Sequence, residues 1–166
     1  MRRNFLTAAV AVVFSACSST PSPATPSVTV ADLMSVVGDD WKGTLTYRDY
    51  SPPHGDVTLQ VEARVRAVPE GLSIALHYPR EPQADGVSEL LLTENGRIFD
   101  GEPVISRERT GDTLQIVTEA ACQDDERPAT CRHIYTFAPK QLGWRKLVRF
   151  AEAGEDIRRN DYSFTR

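Results

Sequence analysis

Cysteine, histidine and arginine are the residues of this chain whose types and spacing could do chemistry. Of three cysteines, Cys17 closes an apolar leader, while Cys122 and Cys131 stand nine positions apart around Gln123 to Thr130 (QDDERPAT). If the flanking strands pair, Cys122 and Cys131 face each other across a hairpin mouth, within the Cα separation a disulfide spans. An oxidising compartment favours that bond. A metal site would need more ligands than two thiolates, and His133 is the sole nearby addition. A redox pair usually has the C-x-x-C spacing, which is absent. The spacing therefore points to a structural disulfide, Cys122–Cys131.

Nucleophilic catalysis of the Ser-His-Asp kind needs a positioned histidine. His54 lies in a Pro-Pro-His-Gly turn, and His77 and His133 lie in strand-like stretches. No G-x-S-x-G, H-E-x-x-H, P-loop or dinucleotide fingerprint occurs. The chain therefore reads as a non-enzyme, with no catalytic residue, no metal ligand set and no cofactor. Arg107 and Arg109 share one face of a strand. Pointed into a barrel they would meet an acidic ligand, and they are the candidate ligand-binding residues; exterior strand charge is the alternative. Asp124-Asp125-Glu126 and the acids of Glu152 to Asp156 read as solvated turn residues, and Arg158-Arg159 as surface.

Bulk properties exclude some partners. Among 166 residues, 40% are hydrophobic and 25% charged, the composition of an ordinary soluble domain. The formal net charge is -4 with no basic run, which argues against nucleic acid as a partner. A domain of this size buries roughly 70% of its unfolded surface and holds a core without metals.

The beginning of the chain carries an address. Met1-Arg2-Arg3 is a short positive segment, Phe5 to Phe14 is apolar, and Phe14-Ser15-Ala16-Cys17 ends in small residues. The apolar run is shorter than the ~20 residues a membrane-spanning helix needs. Cysteine directly after Ser-Ala resembles the bacterial lipoprotein lipobox, with Phe14 where that family usually has an aliphatic residue. The resemblance implies removal of residues 1–16 and lipidation of Cys17, so that the membrane becomes a partner through the lipid. An ordinary signal peptide cut near Ala16 is the alternative. Residues 17–28 hold three prolines among small polar residues and read as an extended tether. Ser18 after the cysteine resembles the pattern of lipoproteins released to the outer membrane, implying a cell-envelope location facing the periplasm.

Residues 29–166 read as one domain. Val28 to Val37 can form a short helix, with Thr29 as N-cap, Asp32 three residues on and Gly38 as stop. Strand signals then follow closely. Trp41, Leu45 and Tyr47 share one side of Trp41 to Asp49. Val57, Leu59, Val61, Ala63 and Val65 alternate with polar residues over Asp56 to Ala67. Later stretches lie at 72–78, 88–94, 97–99, 103–109, 113–120, 132–138, 143–150 and 156–165, with Asn95-Gly96 as a type I′ turn signal. About ten short strands joined as hairpins predict an all-β fold, an antiparallel up-and-down barrel of about 8–10 strands with one short N-terminal helix. A half-barrel or a β-sandwich is the alternative.

A short helix, then glycine and tryptophan opening the first strand of a meander, resembles the lipocalin/calycin group. WKGTLTYRDY and the ending RRNDYSFTR resemble little-characterised lipocalin-like bacterial lipoproteins. The resemblance implies that Trp41, placed by Gly38, plugs one end of the barrel under a basic side chain from the last strand. Arg158, Arg159 and Arg166 are the candidates. Gly38 and Trp41 have two residues between them, one more than the group's Gly-x-Trp. The implied function is non-enzymatic binding of a small apolar or amphipathic ligand. The alternative is an envelope interaction module whose barrel is filled by Trp41, Tyr47, Leu90, Leu92, Tyr135, Phe137 and Trp144.

Overall fold

In a computed structural model, which describes residues 25–166, the chain closes into a ten-stranded antiparallel barrel. Cys17, the leader and most of the tether lie outside the described residues. The strands are β1 (Gly38–Asp49), β2 (Gly55–Val68), β3 (Gly71–His77), β4 (Gly86–Thr93), β5 (Ile98–Phe99), β6 (Glu102–Thr110), β7 (Thr113–Asp124), β8 (Arg127–Ala138), β9 (Gln141–Phe150) and β10 (Ile157–Thr165). Each pairs with the next in sequence, and β1 closes the ring on β10 with Lys42 opposite Thr165 and Tyr47 opposite Asn160. Closure removes the free sheet edges along the shared length. The half-barrel and sandwich alternatives are thereby set aside.

The alternation read along β2 holds. Val61, Ala63 and Val65 are buried, and the intervening Glu62, Arg64 and Arg66 face water. Inward positions of the other strands supply Leu72, Ile74, Phe99, Leu114, Ile116, Tyr135, Phe137, Leu142 and Phe164.

The helix is shorter than the sequence suggests. α1 (Val30–Leu33) is one turn, continued by a 3-10 turn at Met34–Val36. Its capping box is complete: Asp32 accepts the Thr29 backbone N–H at 2.9 Å, and the Thr29 hydroxyl accepts the Asp32 N–H at 3.3 Å. Such a short helix has little intrinsic stability, and buried Leu33 and Val36 hold it against the barrel end. The folded part already includes Val28, which is buried and donates its N–H to the Gly96 carbonyl at 2.9 Å. A side chain at Gly96 would collide with that Val28 backbone, and its φ of +79° favours glycine independently.

Three local expectations are corrected. Asn95-Gly96 is not a two-residue hairpin turn: four residues separate β4 from β5, and Glu94, Asn95 and Gly96 all take positive φ. Gln123 to Thr130 is not a loop, because β7 and β8 continue through it to a tight turn at Asp125-Glu126, with φ of 50° and 59°. Gly38 does not stop the helix in a left-handed conformation; it opens β1.

Candidate functional site

The helix-covered end of the barrel is dry and sealed. Trp41 is 1% exposed and donates its indole N–H to the Val36 carbonyl at 2.9 Å. The guanidinium of Arg166, directly after β10, lies 4.4 Å from the Trp41 ring centre. It donates to the carbonyls of Ser35 (3.0 Å), Val37 (3.0 Å) and Pro139 (2.8 Å). Of the three candidate arginines it is therefore Arg166 that covers the tryptophan. The absence of a side chain at Gly38 lets the end of the Arg166 side chain lie directly against the β1 backbone. Between the Gly38–Val65 and Trp41–Ala63 pairs, β1 has one residue more than β2. A bulge thus absorbs the extra residue between glycine and tryptophan.

Arg107 and Arg109 do not meet in an open cavity. Both reach Asp32 of α1, at 2.5 and 3.0 Å to the same carboxylate oxygen, while the other oxygen holds Thr29. Burial pushes the Asp32 carboxyl up, but the bonds from Arg107, Thr29 and Arg109 outweigh it and hold the group far below the usual carboxylate range. The pair is a clasp between β6 and the helix.

The opposite end is laced by polar groups. Asp124 is 8% exposed, not the solvated turn acid its sequence context suggests. It accepts from the Tyr50 hydroxyl (2.9 Å) and Lys146 (3.2 Å), and Arg159 lies 3.4 Å away. Arg159 also stacks on the Tyr50 ring at 4.5 Å, so it is not a bare surface charge. Tyr50 follows β1 and Asp124 ends β7, so this contact spans the barrel mouth. The Cys122–Cys131 disulfide is formed, with a Cα separation of 5.7 Å. Cys122 pairs in register with Ala129 and Cys131 with Ala120, so the bridge runs diagonally across the hairpin rather than between opposed residues.

Between the two ends lies a cavity of about 360 Å³, lined by Ile74, Leu76, Leu90, Tyr135, Trp144 and Tyr162, with Ser88, Glu89, Asp100, His133 and Asn160 as polar neighbours. Its opening follows from strand lengths. β5 reaches only Leu92 and Thr93 of β4, and β6 pairs with β7 no higher than Thr118. Among the described residues no strand therefore separates Gly86–Leu90 of β4 from Glu119–Asp124 of β7, and the wall is open there. A larger surface groove of about 550 Å³ lies over β2, β3 and β4. Its lining includes Asp39, which pairs with Arg66, and the His77–Asp85 pair, beside Glu62 and Arg64.

One wall of the cavity is aromatic. Trp144 and Tyr162 stack at 4.4 Å, and the Tyr162 and Tyr78 hydroxyls are 2.9 Å apart. The adjoining wall is acidic. The Tyr135 hydroxyl donates to Asp100 (3.1 Å), and Glu102 accepts from the buried Thr118 hydroxyl (2.6 Å) and lies 2.8 Å from His133 Nδ1. Asp100 as a residue is exposed, but desolvation of its carboxyl against the cavity wall pushes it up despite the Tyr135 bond and nearby His133. Glu102 is also pushed up by burial, but the His133 and Thr118 bonds outweigh this and lower it. Burial and the neighbouring Asp100 push the Tyr135 hydroxyl far up, so it remains a donor.

The sequence reading missed Asp100, Glu102 and His133 as a group. One of them carries a signal: His133 alternates with Tyr135 and Phe137, whose period-2 spacing points them to the barrel interior. Asp100, in a turn of positive φ, carries no such periodicity.

No protein-family model matches the chain, and no curated protein matches it. Among solved structures it resembles the crystal structure of Rv2717c from M. tuberculosis, at 10% sequence identity over 82% of this chain and 96% of that one, with a TM-score of 0.54. At that identity the likeness shows the barrel fold.

Proposed function

We propose that this protein is a membrane-anchored, periplasm-facing lipoprotein whose barrel binds a small apolar or amphipathic molecule without catalysing a reaction. The cavity of about 360 Å³ carries the ligand reading: its volume lies in the range of small-molecule sites, and its lining sets apolar and aromatic side chains beside a comparable number of polar ones. The closed helix end and the side opening supply the rest of a binding barrel. The Trp41–Arg166 stack supports the lipocalin-like resemblance. The anchor rests on the lipobox resemblance at Cys17, and the outer-membrane location on Ser18.

Two measurements test the proposal. Labelled palmitate is incorporated into the wild-type protein and not into Cys17→Ser; a Cys17→Ser protein that still labels refutes the anchor. Native mass spectrometry of the Cys17→Ser chain purified without detergent shows a co-purified small molecule. A bare protein mass that no envelope extract shifts refutes the ligand reading.

The second reading is an envelope interaction module. It is favoured by the unpaired stretch of β4 beside the wall opening, where Val87 is 68% exposed. A free strand edge can accept an extended peptide from a partner.

A further inference from the structure

We propose that the ligand of this cavity is an organic cation: a protonated or quaternary amine carried on an apolar or aromatic body. The inference rests on the ligand-binding reading above and names the chemical class. Its first support is the balance of charge. The bases nearest the cavity, Lys146 and Arg159, share the one carboxylate of Asp124 at the mouth, and Lys146 also helps to hold the Glu102 carboxyl low. The cavity itself is left with Glu89 at its opening and Asp100 in its wall, with Glu102 bonded to the lining His133.

Asp100 has a free oxygen. One oxygen accepts from Tyr135, and the other has no hydrogen-bond partner among the described residues. Tyr135 and Thr118 spend their hydroxyl protons on Asp100 and Glu102, so the acidic wall presents acceptors. A carboxylate or phosphate in this position would face the free oxygen of Asp100, while the nearest bases, Lys146 and Arg159, are already held by Asp124. An ammonium group there would meet charge of the opposite sign.

The second support is the aromatic wall. Trp144 and Tyr162 form a stacked pair on the cavity, with Tyr135 and His133 adjoining. Aromatic faces attract cations placed within about 6 Å through their quadrupole, tryptophan most strongly. Apolar Ile74, Leu76 and Leu90 complete the surface for the body of the molecule. Acidic acceptors beside π faces are two elements that hold ammonium ligands. Here they come from strands far apart in the chain.

The test uses three molecules with one body: 4-phenylbutylammonium, 4-phenylbutanol and 4-phenylbutyrate, titrated by calorimetry into the Cys17→Ser chain. The ammonium compound binds at least tenfold tighter than either of the others. Asp100→Asn, which keeps an acceptor for Tyr135, weakens the ammonium compound about tenfold and leaves the alcohol unchanged. Glu89→Gln, at an exposed strand position, shifts binding in the same direction by less. Equal or tighter binding of the alcohol or the butyrate overturns the cation assignment and leaves the carrier reading standing. Unchanged ammonium binding in both variants also overturns the assignment. Failure of all three compounds to bind overturns the assignment and the carrier reading together.

Discussion

Arg166 lies across the indole of Trp41 with its guanidinium 4.4 Å from the ring centre, and the same group donates hydrogen bonds to three backbone carbonyls. It ties the end of β10 to the entry of β1, to the 3-10 turn and to the β8–β9 turn. Arginine suits this position because its planar fork can stack and donate in several directions at once. Replacing it with alanine removes the stack and leaves the carbonyls of Ser35, Val37 and Pro139 to find water. We expect Arg166→Ala to lower unfolding free energy by about 2 kcal/mol in urea titrations. Arg166→Lys restores less than half of that loss. A wild-type midpoint in the alanine variant would show that the stack contributes nothing.

The clasp at Asp32 predicts a pH dependence. Its folded carboxyl sits far below the unfolded value of about 3.9. A lowered pKa contributes stability that is complete above the unfolded value and is lost as pH falls toward the folded one. Asp32→Asn is therefore less stable than wild type at pH 7, by about 1–3 kcal/mol for the lost charge-assisted bonds. The gap narrows on acidification below about pH 4. Chemical denaturation of both proteins from pH 7 to pH 2 measures it; a gap independent of pH would remove the electrostatic account.

Asp100 has the opposite sign. Burial raises its folded pKa, so its ionisation disfavours the folded state, and the wild type recovers stability as pH falls through that value. The groups nearest it are Tyr135, His133 and Glu102. Asp100→Asn is expected to match or exceed wild-type stability at pH 7, with the advantage gone by about pH 4. Thermal melts across this range decide it. Asn less stable than Asp at pH 7 would mean that this carboxylate serves the fold rather than a ligand.

Cys122 and Cys131 pin the hairpin that carries Asp124 to the barrel mouth. Closing a loop of this length stabilises the fold by about 2–3 kcal/mol through the unfolded chain. The Cys122→Ser, Cys131→Ser double variant should lose that amount. It should also exchange amide hydrogens faster at Asp124 to Arg127 than at β2, since opening of the hairpin tip becomes local. Uniform acceleration over the whole barrel would show that the bridge acts on global stability alone.

Much of this architecture is legible along the chain because its signals are local. Alternation places a side chain on a face, turn residues bound each strand, and ten closely spaced segments leave few topologies but a meander. The inward set on β2 and the Thr29–Asp32 capping box follow from neighbours within a few residues. So does the nearness of Cys122 to Cys131.

What required the tertiary structure is pairing at long range. Three arginines were equal candidates for Trp41, and closure of β10 on β1 brought Arg166 to it. Arg107 and Arg109 share one strand face as their spacing suggests, but the position of α1 gives them Asp32 as partner. Asp124 belongs to a run of acids that looks solvated, and it is buried because β7 extends to the mouth where Tyr50, Lys146 and Arg159 converge. The opening in the wall depends on β5 being two residues long, and the acidic side of the cavity on β5, β6, β7 and β8 meeting there. Periodicity assigns a face to each residue; strand length and register decide what that face meets.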